Sequence, residues 1–272
     1  MYKLAFARLS ALALAVGLMG ASSPSAGPAV VDVLYAASLV TPMNGPVADA
    51  LRANGIQFNG EPGGSKKLAN FIASGVRSPD VFICVDPAIA MGLGRAVAST
   101  TVFAHTSLGI AWSPKSRFHE LLESVAAGKT PLLQALSTPG LRIGRTDPTV
   151  DPKGVYTVQA LKAVAGASAE RKLLGDDENA AQIFPEEDLL ARVETGEIDV
   201  GFFYRTESVQ RDYRFVALPP SPASQVSYAL AIMRNAPHPD AAKTFATFIL
   251  EGKGRAILEH AGLDYITPRG TP

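Results

Sequence analysis

The sequence predicts a two-lobed α/β protein, each lobe a mainly parallel sheet flanked by helices, with a ligand cleft between the lobes. Three observations carry this. Short, nearly continuous apolar runs at 31–35 and 81–85 alternate with helical patterns, and strands apolar on both sides suit a parallel sheet covered on both faces. The alternation resumes beyond residue 107. The 272 residues exceed a usual single domain, and 47% apolar content supplies a core for each of two lobes.

The first 26 residues read as a signal peptide and belong to neither lobe. Lys3 and Arg8 are the only charges there, 9–18 (LSALALAVGL) is apolar, and small residues follow, with cleavage expected within 20–29. That run is too short to span a bilayer, and no later stretch approaches about 18 uninterrupted apolar residues, so an exported, soluble mature chain is expected.

The elements follow in order. Residues 31–35 form a strand, 42–54 a helix with Val47, Ala50 and Leu51 on one face, and 67–74 a helix opened by the glycine turn Glu61-Pro62-Gly63-Gly64-Ser65. A strand at 81–85 leads to a helix at 87–93 that Gly92 and Gly94 close. The second lobe starts with a strand at 107–112 and continues through a helix at 117–127, a strand at 141–144, helices at 155–164 and 185–194, and a strand at 199–204. An acidic segment lies at 176–178. The break Pro219-Pro220-Ser221-Pro222 reads as a linker, beyond which 227–233 is a strand and 239–250 a helix. Crossings near 105 and 223 give lobe I as 28–105 plus 224–272 and lobe II as 106–223.

Composition excludes several classes. Formal charge is zero, and without Lys3 and Arg8 the chain has 23 basic against 25 acidic residues, so nothing attracts nucleic acid. The single cysteine, Cys84, sits in the apolar run VFICV and reads as a buried small hydrophobe. The four histidines, His105, His119, His238 and His260, have no metal-site spacing and read as surface or capping residues. Gly92 and Gly94 lack the lysine-serine pair of a P-loop.

Two turns share one build: an apolar strand meets a hydroxyl-bearing turn that opens an amphipathic helix, at Ser38 and at Ser65. The first N–H groups of a helix have no carbonyl partner, so such a turn can cradle an anion. Taken singly, each serine reads as an ordinary N-cap. Two of them facing one cleft would hold an oxyanion.

The collinear segments Y-A-A-S-L, G-G-S, P-D-V-F-I-C-V-D, R-T-D-P-T-V-D-P-K-G-V-Y, G-E-I-D-V-G-F-F-Y-R-T and N-A-P-H-P-D-A-A-K-T-F span nearly the whole mature chain. In this order the chain resembles the molybdate/tungstate-binding proteins of ABC importers, most specifically through the D-P-x-x-D-P-x-G and G-E-x-D-x-G-x-x-Y elements. The resemblance implies the periplasmic-binding-protein fold, a periplasmic monomer that is not an enzyme and needs no cofactor, molybdate or tungstate as ligand, and an ABC permease in the inner membrane as partner. It places ligand groups on the hydroxyls of Ser38 and Ser65, the backbone amide of Lys153 and the phenol of Tyr204. The Lys153 side chain is expected to reach toward the oxyanion or into water. One branch of the family encloses the metal with two further carboxylates. Asp151 matches one of them, but Phe203 stands where the second is expected, so four-oxygen binding by donors alone is favoured. On that reading the charge of Asp151 must be neutralised by Lys153, turned away or protonated. Asp147 reads as a turn residue.

Two other readings stay open. The same clamp could carry sulfate, phosphate or a small organic anion. A secreted serine hydrolase using Ser38 or Ser65 is disfavoured because no G-x-S-x-G elbow is present.

Overall fold

A computed structural model describes residues 29–175 and 179–266. The expected signal peptide and the acidic segment 176–178 lie outside the described residues. Strand β1 (Ala29–Ala36) runs into a helical stretch built of a 3-10 turn (Ala37–Leu39), α1 (Val40–Pro42), a π turn (Met43–Val47) and α2 (Ala48–Ala53). The π turn contains Pro46, which has no N–H to donate to a preceding carbonyl. Next come β2 (Ile56–Gly63), α3 (Ser65–Ala73), β3 (Val81–Val85), α4 (Pro87–Gly92) and β4 (Val97–Trp112). Helices α5 (His119–Ala126) and α6 (Leu132–Leu136) precede β5 (Ile143–Gly144), and α7 (Pro152–Ala165), α8 (Ala167–Leu174) and α9 (Glu186–Thr195) precede β6 (Val200–Tyr204). The chain ends through α10 (Arg205–Gln210), β7 (Arg214–Ala217), β8 (Gln225–Met233), α11 (Pro239–Leu250), α12 (Lys253–His260) and β9 (Asp264–Tyr265).

The strands form one curled, mixed sheet in the order β2-β1-β3-β8-β4-β6-β5, with β7 and β9 also on β4. The pairs β1·β2, β1·β3 and β5·β6 are parallel, whereas β8 is antiparallel to both β3 and β4. Strand β4 serves both halves. Its residues from Val97 to Ser107 pair with β8, and Leu108 to Trp112 pair with β6 and β7. At the switch, the Leu108 N–H donates to the Ser224 carbonyl (2.8 Å), and the Leu218 N–H to the Leu108 carbonyl (3.0 Å).

Alternation along β1 explains its nearly continuous apolar sequence, interrupted only by Asp32. Val31, Val33 and Tyr35 pack with Leu39, Met43, Leu51, Phe245 and Ile249. Leu34, pointing the other way, packs with Leu68, Phe82, Cys84 and Met233. Both faces are covered by helices. Each such side chain withdrawn from water contributes about 1.5–3 kcal/mol. Beside β6, Phe203 joins Ala111, Leu189, Leu190, Val193 and Ile198 in a third apolar cluster.

Of the glycine turn read at 61–65, residues 61–63 end a strand, Gly64 is the cap position and Ser65 opens α3. Strand β2 lies on the sheet edge, where Pro62 needs no ladder partner for its missing N–H.

Candidate functional site

The carboxyl ends of β1, β2 and β3 bring Ala36, Ala37, Ser38, Gly63, Gly64, Ser65 and Val85 against Asp151, Pro152, Glu186 and Tyr204, around a cavity of about 20 Å³. The first group comes from the β1–β3 side and the second from the starts of α7 and α9 and the end of β6. Ligands of open α/β sheets are met at such strand ends. Larger hollows, about 350 Å³ beside Asp32 and Arg77 and about 440 Å³ beside Pro46 and Ile257, lie elsewhere. We place the site in the smaller cavity because two helix starts and a buried, unsatisfied hydroxyl converge there.

Neither serine caps its helix. Ala36 and Gly64 occupy the cap positions, without side-chain cap bonds. The Ser38 hydroxyl, buried in the 3-10 turn, shares a 2.7 Å hydrogen bond with the Tyr228 hydroxyl. The Ser65 Oγ accepts the Val85 N–H at 3.0 Å, which leaves its own proton free to donate. The side-chain amide of Gln210 on α10 donates to the Ser38 carbonyl at 2.8 Å, tying this turn to the other side of the cavity.

Tyr204 is 3% exposed, and its phenol oxygen has no hydrogen-bond partner among the described residues. Burial, reinforced by the negative charge of Asp151, holds its pKa well above the usual value, so the phenol keeps its proton. A buried donor without an acceptor is costly, and one that lines a cavity points to an acceptor that binds there. Phe203, one position earlier, projects to the opposite face of β6 into the apolar cluster. Its ring lies between that cluster and Lys153 Nζ, 5.3 Å from the ring centre, and does not line the cavity.

Asp151 caps α7: its Oδ1 accepts the Lys153 N–H at 2.8 Å, and Pro152 occupies the first turn. The amide expected to face the ligand is thus engaged by Asp151. The Lys153 side chain does not extend into water, which corrects that part of the sequence expectation, but pairs with a carboxylate. It is 1% exposed, with Nζ 2.5 Å from Glu207 Oε1 and 3.7 Å from Glu186 Oε2, over the rings of Phe203 and Tyr204. Burial alone would lower its pKa, but Glu186, Glu207 and Asp151 outweigh burial and hold it above the ordinary lysine value. The structure therefore gathers Ser38, Ser65, Asp151 and Tyr204 at one cavity and places Lys153 behind it.

Two carboxyls at or behind the cavity escaped the sequence reading. Glu207 accepts the Tyr204 N–H through Oε2 at 2.7 Å while holding Lys153 through Oε1. The signal was a glutamate three positions into a helix start, Y-R-T-E. Glu186 lines the cavity from the first position of α9, where an acidic residue reads simply as favourable for a helix N-terminus. Burial pushes its carboxyl up to about 8, opposed by Lys153 and reinforced by Glu207, Asp151 and Glu187.

The remaining candidates are structural. Asp147 Oδ1 accepts the N–H and hydroxyl of Thr149, both at 2.7 Å, as a turn residue does. Burial pushes the Cys84 thiol up to about 12, which leaves it inert. His238, scattered in sequence, meets Asp32 and Asp80 in space. There Asp80 accepts the His238 N–H (2.6 Å) and the Asp32 N–H (2.7 Å), and its Oδ2 lies 3.0 Å from His238 Nδ1. Those bonds tie β1, β3 and the start of α11 together. No helix among the described residues is long and apolar enough to cross a membrane.

Comparison with known proteins agrees with this architecture. The chain is 31% identical over 166 residues to a protein of Haloferax volcanii named as an ABC transporter molybdenum-binding protein, the match covering 61% of this chain and 53% of that one. The chain thus spans about half the length of that relative. It is 21% identical to the molybdate/tungstate-binding protein of Pyrococcus abyssi, over 97% of this chain and 93% of that one. Among solved structures, the periplasmic molybdate-binding protein of Azotobacter vinelandii superposes with a TM-score of 0.68 at 19% identity, covering 88% of this chain and all of that one. The model of the bacterial extracellular solute-binding proteins matches residues 31–264, and the chain belongs to that family.

Proposed function

We propose that this chain is the solute-binding protein of an ABC importer, capturing molybdate or tungstate as a tetrahedral oxyanion. The hydroxyls of Ser38, Ser65 and Tyr204 and the N–H groups of the two helix starts are the donors, and no protein atom ligates the metal. The observation that carries this reading is the Tyr204 hydroxyl, buried without an acceptor at a cavity that Ser38 and Ser65 also line. The names of the Haloferax, Pyrococcus and Azotobacter relatives support the cargo.

Donors without a dedicated cation suit a carrier. Dipoles fixed in a desolvated cleft hold a dianion, and without an arginine fork the ligand can still leave for a permease. Donor-only binding also disfavours protonated anions, whose acidic oxygen would find no acceptor. In this reading lobe I is 28–105 plus 224–272 and lobe II is 106–223. The division is supported by the change of partners along β4 at Ser107 and Leu108 and by the return at Leu218 and Ser224. The lobes hinge at these crossings, and ligand populates the closed form. The chain acts as a periplasmic monomer after removal of the signal peptide, and the closed form meets the permease. The two serine hydroxyls are bonded to a phenol and a backbone N–H, not to an imidazole, which argues against a hydrolase.

Calorimetric titration of the mature protein with molybdate, tungstate, sulfate and phosphate tests the cargo. Molybdate and tungstate are expected to bind more tightly than sulfate or phosphate, and the opposite order overturns the assignment.

A further inference from the structure

We propose that Gln210 is a positioning residue of the oxyanion site: from lobe II its side-chain amide clasps the backbone of the Ser38 turn in lobe I, so that aiming Ser38 and closing the clamp become one event. The inference rests on the oxyanion and two-lobe reading above and adds a residue that acts through another without touching the ligand.

The need for an outside partner is written in the sequence Ser38-Leu39-Val40-Thr41-Pro42. In a continuing α-helix the Ser38 carbonyl would accept the N–H of residue 42, and a proline there has none. Within the turn the Val40 N–H serves the Ala37 carbonyl, and the Met43 N–H serves the Val40 carbonyl. Gln210 supplies the donor that Pro42 withholds: its Nε2 donates to the Ser38 carbonyl at 2.8 Å, and its Oε1 accepts the Thr41 N–H at 3.3 Å. A primary amide carries donor and acceptor side by side, so one side chain grips the turn at both ends. The Ser38 hydroxyl is held separately, by Tyr228 on β8 at 2.7 Å. With its carbonyl fixed in a planar peptide and its hydroxyl bonded as well, Ser38 keeps a single orientation.

The grip comes from the far side of the cavity. Gln210 ends α10, the helix that starts immediately after Tyr204. Glu207 in its first turn accepts the Tyr204 N–H at 2.7 Å and holds Lys153 of α7 at 2.5 Å, and Thr206, Glu207 and Ser208 are buried. A helix so anchored is a short strut, with the Tyr204 phenol at one end and the Ser38 turn within reach of the other. When the lobes part, both bonds of Gln210 break and the Ser38 carbonyl is released. When they close on a ligand, the bonds form again. Gln210 thus stabilises the closed form alone, and its effect falls on release of the ligand and not on encounter. A carboxylate at 210 would set an oxygen against the Ser38 carbonyl, so the amide is required and not merely its length.

The test is tungstate binding and release by the full mature protein carrying one of two substitutions. Gln210→Met keeps the length of the side chain and drops both hydrogen bonds, whereas Gln210→Glu keeps the acceptor and drops the donor. Both are expected to weaken binding about tenfold in calorimetry, as the loss of one or two neutral hydrogen bonds does. Chasing bound radiolabelled tungstate with unlabelled tungstate should show release about tenfold faster, with association within about twofold of wild type. The ligand-free variants should melt within about 2 °C of wild type, because the missing bonds belong to the closed form. Release at the wild-type rate in both variants overturns the proposal. So does a loss confined to the ligand-free melt or to the association rate, which a merely structural role would give. A wild type that binds neither tungstate nor molybdate defeats the oxyanion reading, and this inference falls with it. A wild type that binds while both variants release as it does overturns this inference alone.

Discussion

Tyr204 and Ser65 represent two ways in which a single hydroxyl can be held ready for an anion. Among the described residues the Tyr204 hydroxyl has no partner, so Tyr204→Phe removes a donor from the bound state and also relieves an unsatisfied group in the free state. Ser65 uses its oxygen to accept the Val85 N–H, so Ser65→Ala loses a ligand donor and leaves that amide unpaired. Both are expected to weaken tungstate binding by about 1–3 kcal/mol in calorimetry, with Ser65→Ala alone also lowering stability. Unchanged affinity in both would reject the residue assignment. Away from the site, Asp199 shows how charge stabilises the fold. Burial would raise its pKa, but hydrogen bonds from Arg142 (2.9 Å from the guanidinium, 3.0 Å from the backbone N–H) and from Arg117 carry it from 3.8 down to about 2. Its folded-state pKa is depressed, so its stabilisation is complete above about pH 4 and is lost as pH falls through about 2. The arginines are partly exposed, which limits the gain to about 1–2 kcal/mol. Urea melts of Asp199→Asn should be weaker than wild type by about that much at pH 7 and should converge with it near pH 2.

At the scale of elements, the start of α7 positions the site. Pro152 opens the helix, Asp151 caps it, and Gly154 lets it approach the preceding loop. A Cβ at 154 would lie 2.6 Å from the Asp147 carbonyl carbon, the Pro148 nitrogen and the Thr146 oxygen, all backbone atoms that cannot swing aside. Gly154→Ala should therefore cost about 1–3 kcal/mol in denaturant melts and weaken ligand binding by displacing Asp151 and Pro152. The D-P-x-G spacing was legible in sequence, but its cause, a helix pressed against its own entry loop, was not. Strands β1, β3 and β8 were legible because helices on both faces demand continuous apolar sequence. Strand β2 was not, since an edge strand with Asn59, Glu61 and Pro62 carries no such pattern. The first half of β4 was missed for the same reason: its residues from Val97 to Val102 are largely solvent-facing.

For the whole molecule, ligand and stability are linked. A ligand that binds only the folded chain, at one hundred times its Kd, stabilises it by about 2.7 kcal/mol. For a chain of this size each kcal/mol is worth about 2–4 °C, so saturating tungstate should raise Tm by roughly 5–10 °C. Sulfate at the same concentration should shift it less. A tungstate shift no larger than that of sodium chloride at equal ionic strength would contradict a specific site. Tyr204→Phe should reduce the shift.

Apolar continuity, turn residues and helix periodicity are local properties, and they determined by themselves the α/β class, the positions of most central strands and the two serine turns. Motif order brought Asp151 and Tyr204 into view. Tertiary structure alone decided that Lys153 lies behind the cavity, that Phe203 faces away from it, and that Glu186 and Glu207 stand beside it. These carboxyls come from the helices on either side of β6, and the cation and cavity they face, Lys153 and the ends of β1 to β3, are met only after folding. Such electrostatic neighbourhoods leave no periodic trace in a sequence, because water screens the same residues from one another in the unfolded chain.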